Sequence, residues 1–428
     1  MPGLGSAVFT LFTDSTQFER GLAAAGGAAS AATAGIGSKL NQIGNRFTSA
    51  GRSLTRGLTV PMLAIGAMSV KLASQYQQDL VMIHTQAGAS VAEMKRVNSE
   101  VMNMVKSGKT AFAPDELVKA MYHVESLQYR GAKAYHMLTV AQKAASIGNA
   151  DLEQTTTALG ATVLTGIKGL GGMSHAAGLM MGVVGQGNMR LQDYVDAMKS
   201  GVIPMAKDAG ISFASFGTAL AVVTDRTGSA QIAANRLRTL MTMIAAPTDK
   251  AKTELHKLGL TTHELAGDMM KPNGIMVATK DLAKHLAALP AKQRKFQLAM
   301  IAPMFGGSRS TGTMATLLTA IDSMQKKYPL ITRSAANFNK NFDATKQTAI
   351  FKFHKALAQV EQSLIVIGEK LMPLVAKWAG DLAKKVGELV NWYNKLSPAG
   401  QHVANSIMEI MLFAGPVLMI FGTFIKVL

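Results

Sequence analysis

GRSLTRGLTVPMLAIGAMSVKLASQYQQDLVMI, residues 51–83, decides the fold class. Arg52 and Arg56 open it among Ser, Thr and Gly, and from Leu58 to Val70 no charge occurs. Pro61 stands near the front of that run, where a helix's first turn tolerates proline because the missing N–H would lack a partner anyway. A helix starting at or near Pro61 is therefore expected. Its first turns carry Met62, Leu63, Ile65, Met68 and Val70 on all sides, a pattern that predicts burial all round or contact with lipid. After Lys71 the apolar positions narrow to one stripe, Leu72, Tyr76, Leu80 and Ile83. One helix thus passes from a wholly apolar setting into a one-sided one.

Upstream, Ala7 to Phe12 alternate like a short strand and end at a capping signature, Asp14 with Gln17 or Thr16 with Glu19. Residues 21–38 are almost wholly Ala, Gly, Ser and Thr, too little to bury for more than a marginal helix. From Leu40 a three-and-four spacing runs through Ile43, Phe47, Ala50, Leu54 and Leu58, the seam of a helix that expects a partner.

Downstream lies a train of amphipathic helices. Ser90 with Glu93 forms a capping box ahead of Val91, Met94, Val97, Val101 and Met104. Pro114 starts the next, with Leu117, Met121, Val124 and Leu127 on one face. Three joints share one chemistry: Ser146-Ile147-Gly148-Asn149, Gly210-Ile211-Ser212 and Gly259-Leu260-Thr261. In the last two, Gly takes the left-handed position, the apolar residue folds back, and Ser or Thr caps the following helix. In the first, Asn149 or Asp151 would do the capping. Gly-rich patches at 166–187 and 306–312 predict close helix approach or hinges. From Phe342 to Leu396 the pattern is longest. Leu357, Val360, Leu364, Ile367, Leu371, Leu374, Val375, Trp378, Leu382, Val386 and Leu389 form its stripe, with a kink expected at Pro373. Ser397-Pro398 ends it.

Composition agrees with slim, adaptable helices. Of 428 residues, 48% are hydrophobic and only 16% charged, with few aromatics (6%) and 28 Met. No Cys is present, which excludes disulfides and thiolate metal sites. MPGLGSAVFT lacks the basic and apolar regions of a secretory signal, so synthesis and initial residence in a cytoplasm are expected. Net charge is +18, of which residues 246–355 carry +10. The lysines are spaced along helical patterns with few aromatics between them. They read as a solvated face before they read as a nucleic-acid site.

The blocks SLTRGLTVPMLAIGAMSVKLASQYQQDL, FAPDELVKAM, GNADLEQTTTALGATV, AKDAGISFASFGTALAVV, LHKLGLTTHELAGDM and MFGGSRSTGTMATLL follow one another in this order. With the close at LSPAGQHVANSIMEIMLFAGPVLMIFG, the chain resembles the core region of phage tail tape-measure proteins over roughly residues 50–428. The order of the blocks carries the resemblance, since each alone is an Ala/Gly-rich helix. It implies a structural protein of a phage or prophage tail, not an enzyme. Such a protein lies inside the tail tube, sets tail length and assists genome ejection across the host envelope. The implied partners are the tail tube protein, tail assembly chaperones, and distal tail or baseplate proteins. Further copies of the chain, the host membrane and passing DNA complete the set. The implied location is the virion tail lumen, with the host cytoplasm during assembly and the host membrane during ejection. A helical rod rises ~1.5 Å per residue, so a chain of this length reaches on the order of 640 Å, the proportionality a ruler needs. The long heptad arrays common in such rulers outside this core are missing, and the abrupt apolar end reads as a truncated frame.

The fold expected is all-α: an elongated or loosely packed array of amphipathic helices with Gly-rich joints and no extensive sheet. Four regions are expected: a small-residue segment 1–50, the core 51–310, a long amphipathic region 311–396 and an apolar segment 397–428. In the last, Ile410 to Ile425 is charge-free for sixteen residues, short of the ~20 that span a bilayer upright. Met411, Leu412, Phe413, Pro416, Leu418, Ile420 and Phe421 would contact a membrane there. This run keeps a second reading open, a membrane-active pore-forming or effector protein unconnected with tails. Catalytic and metal signatures are weak. Ser107-Gly108-Lys109-Thr110 ends like a phosphate loop, but Asn103 stands where the first Gly belongs and a helix precedes it. Gly185-Gln186-Gly187 lacks the third Gly of a dinucleotide loop, and His256, His263 and Glu264 lack a ligand spacing. No cofactor, metal or catalytic residue is expected.

Overall fold

A computed structural model describes residues 60–301, 307–398 and 400–401. Among them are seventeen helices and no strand, so the all-α expectation is borne out. In chain order they are α1 (Val60–Thr85), α2 (Val91–Lys106), α3 (Pro114–Ser126), α4 (Gly131–Gly148), α5 (Leu152–Thr165) and α6 (Met173–Gln186). There follow α7 (Leu191–Met198), α8 (Val202–Asp208), α9 (Phe213–Thr227), α10 (Ala230–Ala245), α11 (Asp249–Lys257) and α12 (Thr262–Met269). The last five are α13 (Gly274–Ala287), α14 (Ala291–Ile301), α15 (Gly307–Thr319), α16 (Ile321–Gln347) and α17 (Ala349–Asn394). The chain divides into two units at Met68/Ser69, inside α1, and the packing described below belongs to the second.

The deciding stretch behaves as read in its second half. α1 begins at Val60 with Pro61 in its first turn, and Tyr76 and Ile83 are fully buried with Leu80 close to it. The buried Tyr76 hydroxyl is satisfied by donating to Asn98 Oδ1 at 2.8 Å. The first half is not buried all round, for Ile65 and Met68 are about half exposed. The helix buried on all sides is α9 instead, where every residue from Phe213 to Thr224 is buried. Its composition makes that tolerable. Small Ala and Gly admit neighbours, the Thr218 hydroxyl donates to the Ala214 carbonyl at 2.7 Å, and Ser215 Oγ accepts the Ile275 N–H at 2.9 Å.

The joints form by the chemistry their residues predict. Gly210 and Gly259 adopt φ of +69° and +75°, and the following Ile211 and Leu260 turn inward to full or near-full burial. Ser212 Oγ then accepts the Ser215 N–H at 3.3 Å, and Thr261 Oγ1 accepts the Glu264 N–H at 3.1 Å. The Glu264 carboxylate accepts the Thr261 N–H in return at 2.8 Å, a complete capping box. At the first joint Asn149 takes the left-handed position, and Asp151 caps α5 through the Gln154 N–H at 2.8 Å.

The Gly-rich patch at 166–187 proves to be a site of close helix approach. α6 lies along α16, and a Cβ added at Gly178 would come within 2.5 Å of the Ala335 Cα. One turn on, a Cβ at Gly182 would come within 2.8 Å of the Ile331 carbonyl oxygen. Residues some 150 positions apart in sequence are thus in backbone contact. Length along the chain is therefore not converted to span at 1.5 Å per residue across this unit. The continuous pattern read from Phe342 to Leu396 is interrupted once. Thr348 is extended (ψ 146°), and its Oγ1 caps α17 through the Phe351 N–H at 3.3 Å. α17 runs on through Pro373. The strand expected at Ala7–Phe12, the seam from Leu40 to Leu58 and the run Ile410–Ile425 lie outside the described residues.

Candidate functional site

α17 is the longest helix described, and much of its surface has no cover among the described residues. Its mounting on the rest of the unit starts at the Thr348 corner. There Phe342 and Phe351, both buried, meet edge to face with ring centres 5.9 Å apart. The ammonium groups of Lys143 and Lys346 stand 5.5 and 5.3 Å from the Phe342 ring centre. Further along, Gln362 Nε2 donates to the Met102 carbonyl at 2.8 Å, and Gln359 Nε2 donates to those of Val105 and Lys106 at 3.4 Å. The Val105 and Lys106 carbonyls are the last two of α2, where a helix leaves its carbonyls without an intrahelical partner, and that of Met102 lies one turn before them. At Gly368 the two backbones touch, for a Cβ there would overlap the Ser69 carbonyl of α1.

The side chains facing inward are Phe351, Ala358, Ile365 and Met372, seven residues apart each time. This is not the stripe that the sequence displays most openly. Of that stripe Leu357, Val360, Leu374 and Trp378 are 51, 56, 50 and 68% exposed, and beyond Met372 the helix surface is exposed nearly throughout. The seven-residue spacing is visible in the sequence but is masked by the apolar residues beside it.

A cluster of carboxylates sits where α17 crosses the start of α3. Lys119 Nζ lies 3.1 Å from Asp115 and 3.9 Å from Asp79. Glu361 of α17 joins them, and its carboxyl is pushed up to about 7, first by burial, then by the charge of Asp115 and a hydrogen bond shared with it. Burial also raises Asp79 and Glu116, although Glu116 accepts the Ala113 N–H at 2.8 Å. The folded state therefore holds a proton on Glu361 more tightly than the unfolded chain does. Its contribution is complete below the unfolded value, ~4.3, and is lost as pH rises through about 7. The melting temperature is expected to fall between pH 5 and pH 8, and Glu361→Gln to flatten that fall. Circular dichroism melts across this range check it; equal slopes in the two proteins would rule out Glu361 as the source.

Comparison with known proteins bears on the whole arrangement. The family of phage-related minor tail proteins matches the chain over residues 98–306. The chain is also similar to the tape measure protein of Pneumococcus phage Dp-1, at 23% identity over 385 residues. That match takes in 90% of this chain and 32% of the relative, so the chain spans about a third of the length of the curated relative it matches. No solved structure matches the chain. The resemblance to tape-measure proteins drawn from the ordered blocks is borne out. The minor tail protein match runs from within α2 to beyond α14, and α17 with its exposed stripe lies after it.

The motifs weighed as catalytic or metal-binding take ordinary structural places in this helical unit. Ser107 to Thr110 form the turn that follows α2, with Ser107 its C-cap and Gly108 at φ +65° under the Lys355 side chain. Thr110 is buried and accepts the Phe112 N–H at 3.1 Å. Gly187 closes α6, where Lys327 binds the Gln186 carbonyl and Asp225. His263 and Glu264 line an open cleft between α12 and α13 with His285, and several of its polar groups pair within it or with adjacent residues. Lys271 lies 2.5 Å from Asp268, and His285 Nδ1 is 2.9 Å from the carbonyl of Asp281. Among the described residues no three His, Asp or Glu side chains stand close enough to hold a metal. No described helix is long and apolar enough to cross a membrane. Met411, Leu412, Phe413, Pro416, Leu418, Ile420 and Phe421 all lie outside the described residues.

Proposed function

We propose that this chain is a structural component of a phage or prophage tail, acting as a tape measure in the tube lumen to set tail length, with no catalytic step of its own. The observation that carries this reading is the similarity to a tape measure protein along nine-tenths of the chain. The tail tube protein, the assembly chaperones and the distal tail or baseplate proteins are its proposed partners, met first in the host cytoplasm. For ejection across the host envelope, we assign membrane contact to the charge-free run 410–425, centred on Leu412, Phe413, Leu418 and Phe421.

The ruler reading is tested along α17, where helical rise does convert to length. Inserting four heptads, 28 residues, between Gly380 and Asp381 falls in exposed helix and lengthens it by ~42 Å. Tails assembled with the insertion are expected to be longer by that increment in electron micrographs. Tails of unchanged length would remove the ruler function. A protein absent by mass spectrometry from purified tails would remove the tail assignment itself.

A further inference from the structure

From Pro373 to Trp392 every described side chain of α17 is exposed, Trp378 and Trp392 at 68 and 52%. The apolar positions there are ordered. From Leu371 the spacing alternates four and three through Val375, Trp378, Leu382, Lys385, Leu389 and Trp392, the seam of a helix that meets one other helix. α17 closes at Asn394, and only Lys395, Leu396 and Ser397 separate it from the next helical residue, Pro398. Ser397 caps this second start: its Oγ accepts the Gly400 N–H at 3.3 Å, and its carbonyl accepts the Gln401 N–H at 2.9 Å. Gln401 Nε2 then reaches back to the Tyr393 carbonyl at 3.4 Å, one of those a helix leaves over at its C-terminal end. A three-residue connection of this kind joins antiparallel helices.

We propose that residues 400–428 fold back antiparallel along α17 and cover its open seam from Trp392 to Leu371, so that the charge-free run 410–425 is held on protein. Size, charge and length single out this occupant. Around such a turn, residues equally far from Leu396 stand level, in keeping with the contact of Gln401 and Tyr393, five and three residues from it. Trp392 and Trp378 on one arm then meet Gly400 and Ala414 on the other. The chain's two tryptophans thus face small residues, and large against small is what fills a layer between two helices. Leu389, Leu382 and Val375 meet Val403, Ile410 and Val417. In the first turns of the returning segment, Val403, Ile407 and Ile410 share one side by helical spacing, while Gln401, His402, Asn405 and Glu409 fall on the others. Its one acidic residue, Glu409, comes level with Lys384 and Lys385, and its one lysine, Lys426, within a turn of Glu369. The length matches as well, since Phe421 stands level with Leu371, beside Met372 of the inner face. Pro416 does not bar this, for α16 and α17 themselves run on through Pro329 and Pro373. The run assigned to membrane contact is then reached only by opening the hairpin. The docking itself goes beyond the tail and membrane readings and rests on neither.

The test uses the full chain in solution. Trp378 and Trp392 are its only tryptophans, so indole fluorescence reports this seam and nothing else. Acrylamide quenching is expected to be severalfold weaker than for free tryptophan, and Ala414→Glu to restore most of it with helical content unchanged. Because the protein has no cysteine, Val375→Cys with Val417→Cys should close an intrachain disulfide under mild oxidation, at the 45.2 kDa mass of one chain. Lys377→Cys with Val417→Cys, nearly level but off the seam, should not. Tryptophans quenched as readily as the free amino acid overturn the proposal. So does quenching indifferent to Ala414→Glu, a Val375→Cys, Val417→Cys protein that fails to close, or a disulfide formed only between chains, the mark of a second copy on the seam.

Discussion

Gly178→Leu is expected to cost ~3 kcal/mol or more of folding stability, the largest effect of any single substitution on the α6–α16 contact. Its Cβ alone would lie 2.5 Å from the Ala335 Cα, 3.0 Å from the Ala335 carbonyl oxygen and 3.2 Å from its carbonyl carbon. These are backbone atoms, so no rotamer change relieves the overlap and the helices must separate. Separation opens the layer holding Ile331 and Phe338, both buried, and forfeits packing beyond the usual ~1–3 kcal/mol of an overfilled core. Set against a total of ~5–15 kcal/mol for a folded domain, such a loss brings the protein near its unfolding threshold. Gly185, on the same helix, has nothing within 4 Å of an added Cβ. Gly185→Ala should therefore gain ~0.5–1 kcal/mol through helix propensity alone. Urea titrations of the three proteins measure both. Equal midpoints for Gly178→Leu and the parent would show that α6 and α16 are not in backbone contact.

Arg130→Met should destabilise by ~3–5 kcal/mol at neutral pH, because it strands a buried carboxylate. Glu125 is 1% exposed, and its Oε2 lies 2.6 Å from Arg130 Nη1. The same guanidinium donates to the Ala87 carbonyl at 2.8 Å and to that of Glu125 itself. It thereby pins the loop between α1 and α2 to the end of α3. Burial raises the Glu125 carboxyl above its usual range, and Arg130 is the chief influence holding it down. Removing the arginine raises it further. A raised carboxyl contributes stability that is present at low pH and lost as pH climbs through the folded value. The deficit of Arg130→Met should accordingly shrink on acidification toward the ordinary glutamate range. It should also shrink in the double variant Glu125→Leu with Arg130→Met, where no charge is left buried. Melting temperatures at pH 5 and pH 7.5 for the two variants decide it. A deficit independent of pH and unrelieved in the double variant would point to lost Ala87 anchoring instead of a stranded charge.

Much of the architecture was legible because its signals are local. A proline in a first turn, a Gly–apolar–Ser/Thr joint and a Ser three residues before Glu each fix a few backbone angles by short-range sterics and hydrogen bonds. α1, α2, α3 and the corners at Gly210 and Gly259 accordingly begin and end where their residues dictate. The Gly178–Gly182 pair announced a close approach without naming the helix that approaches, since α16 lies some 150 residues further on. The Glu125–Arg130 pair and the Glu361 cluster carried no sequence signal, because a carboxylate's burial depends on what other elements place over it.

The sequence by itself determined that this chain is a train of small-residue-rich helices whose block order resembles that of tape-measure proteins, for periodicity, caps and block order are properties of neighbouring residues. Tertiary structure alone decided which faces are spent. It buried α9 on every side, left Ile65 and Met68 half exposed, and mounted α17 by Phe351, Ala358, Ile365 and Met372 in place of its more conspicuous stripe. The physical reason is that apolar periodicity states only that a helix has a face to cover. Whether that cover comes from the same chain depends on backbone approach at positions such as Gly368, which no local pattern encodes.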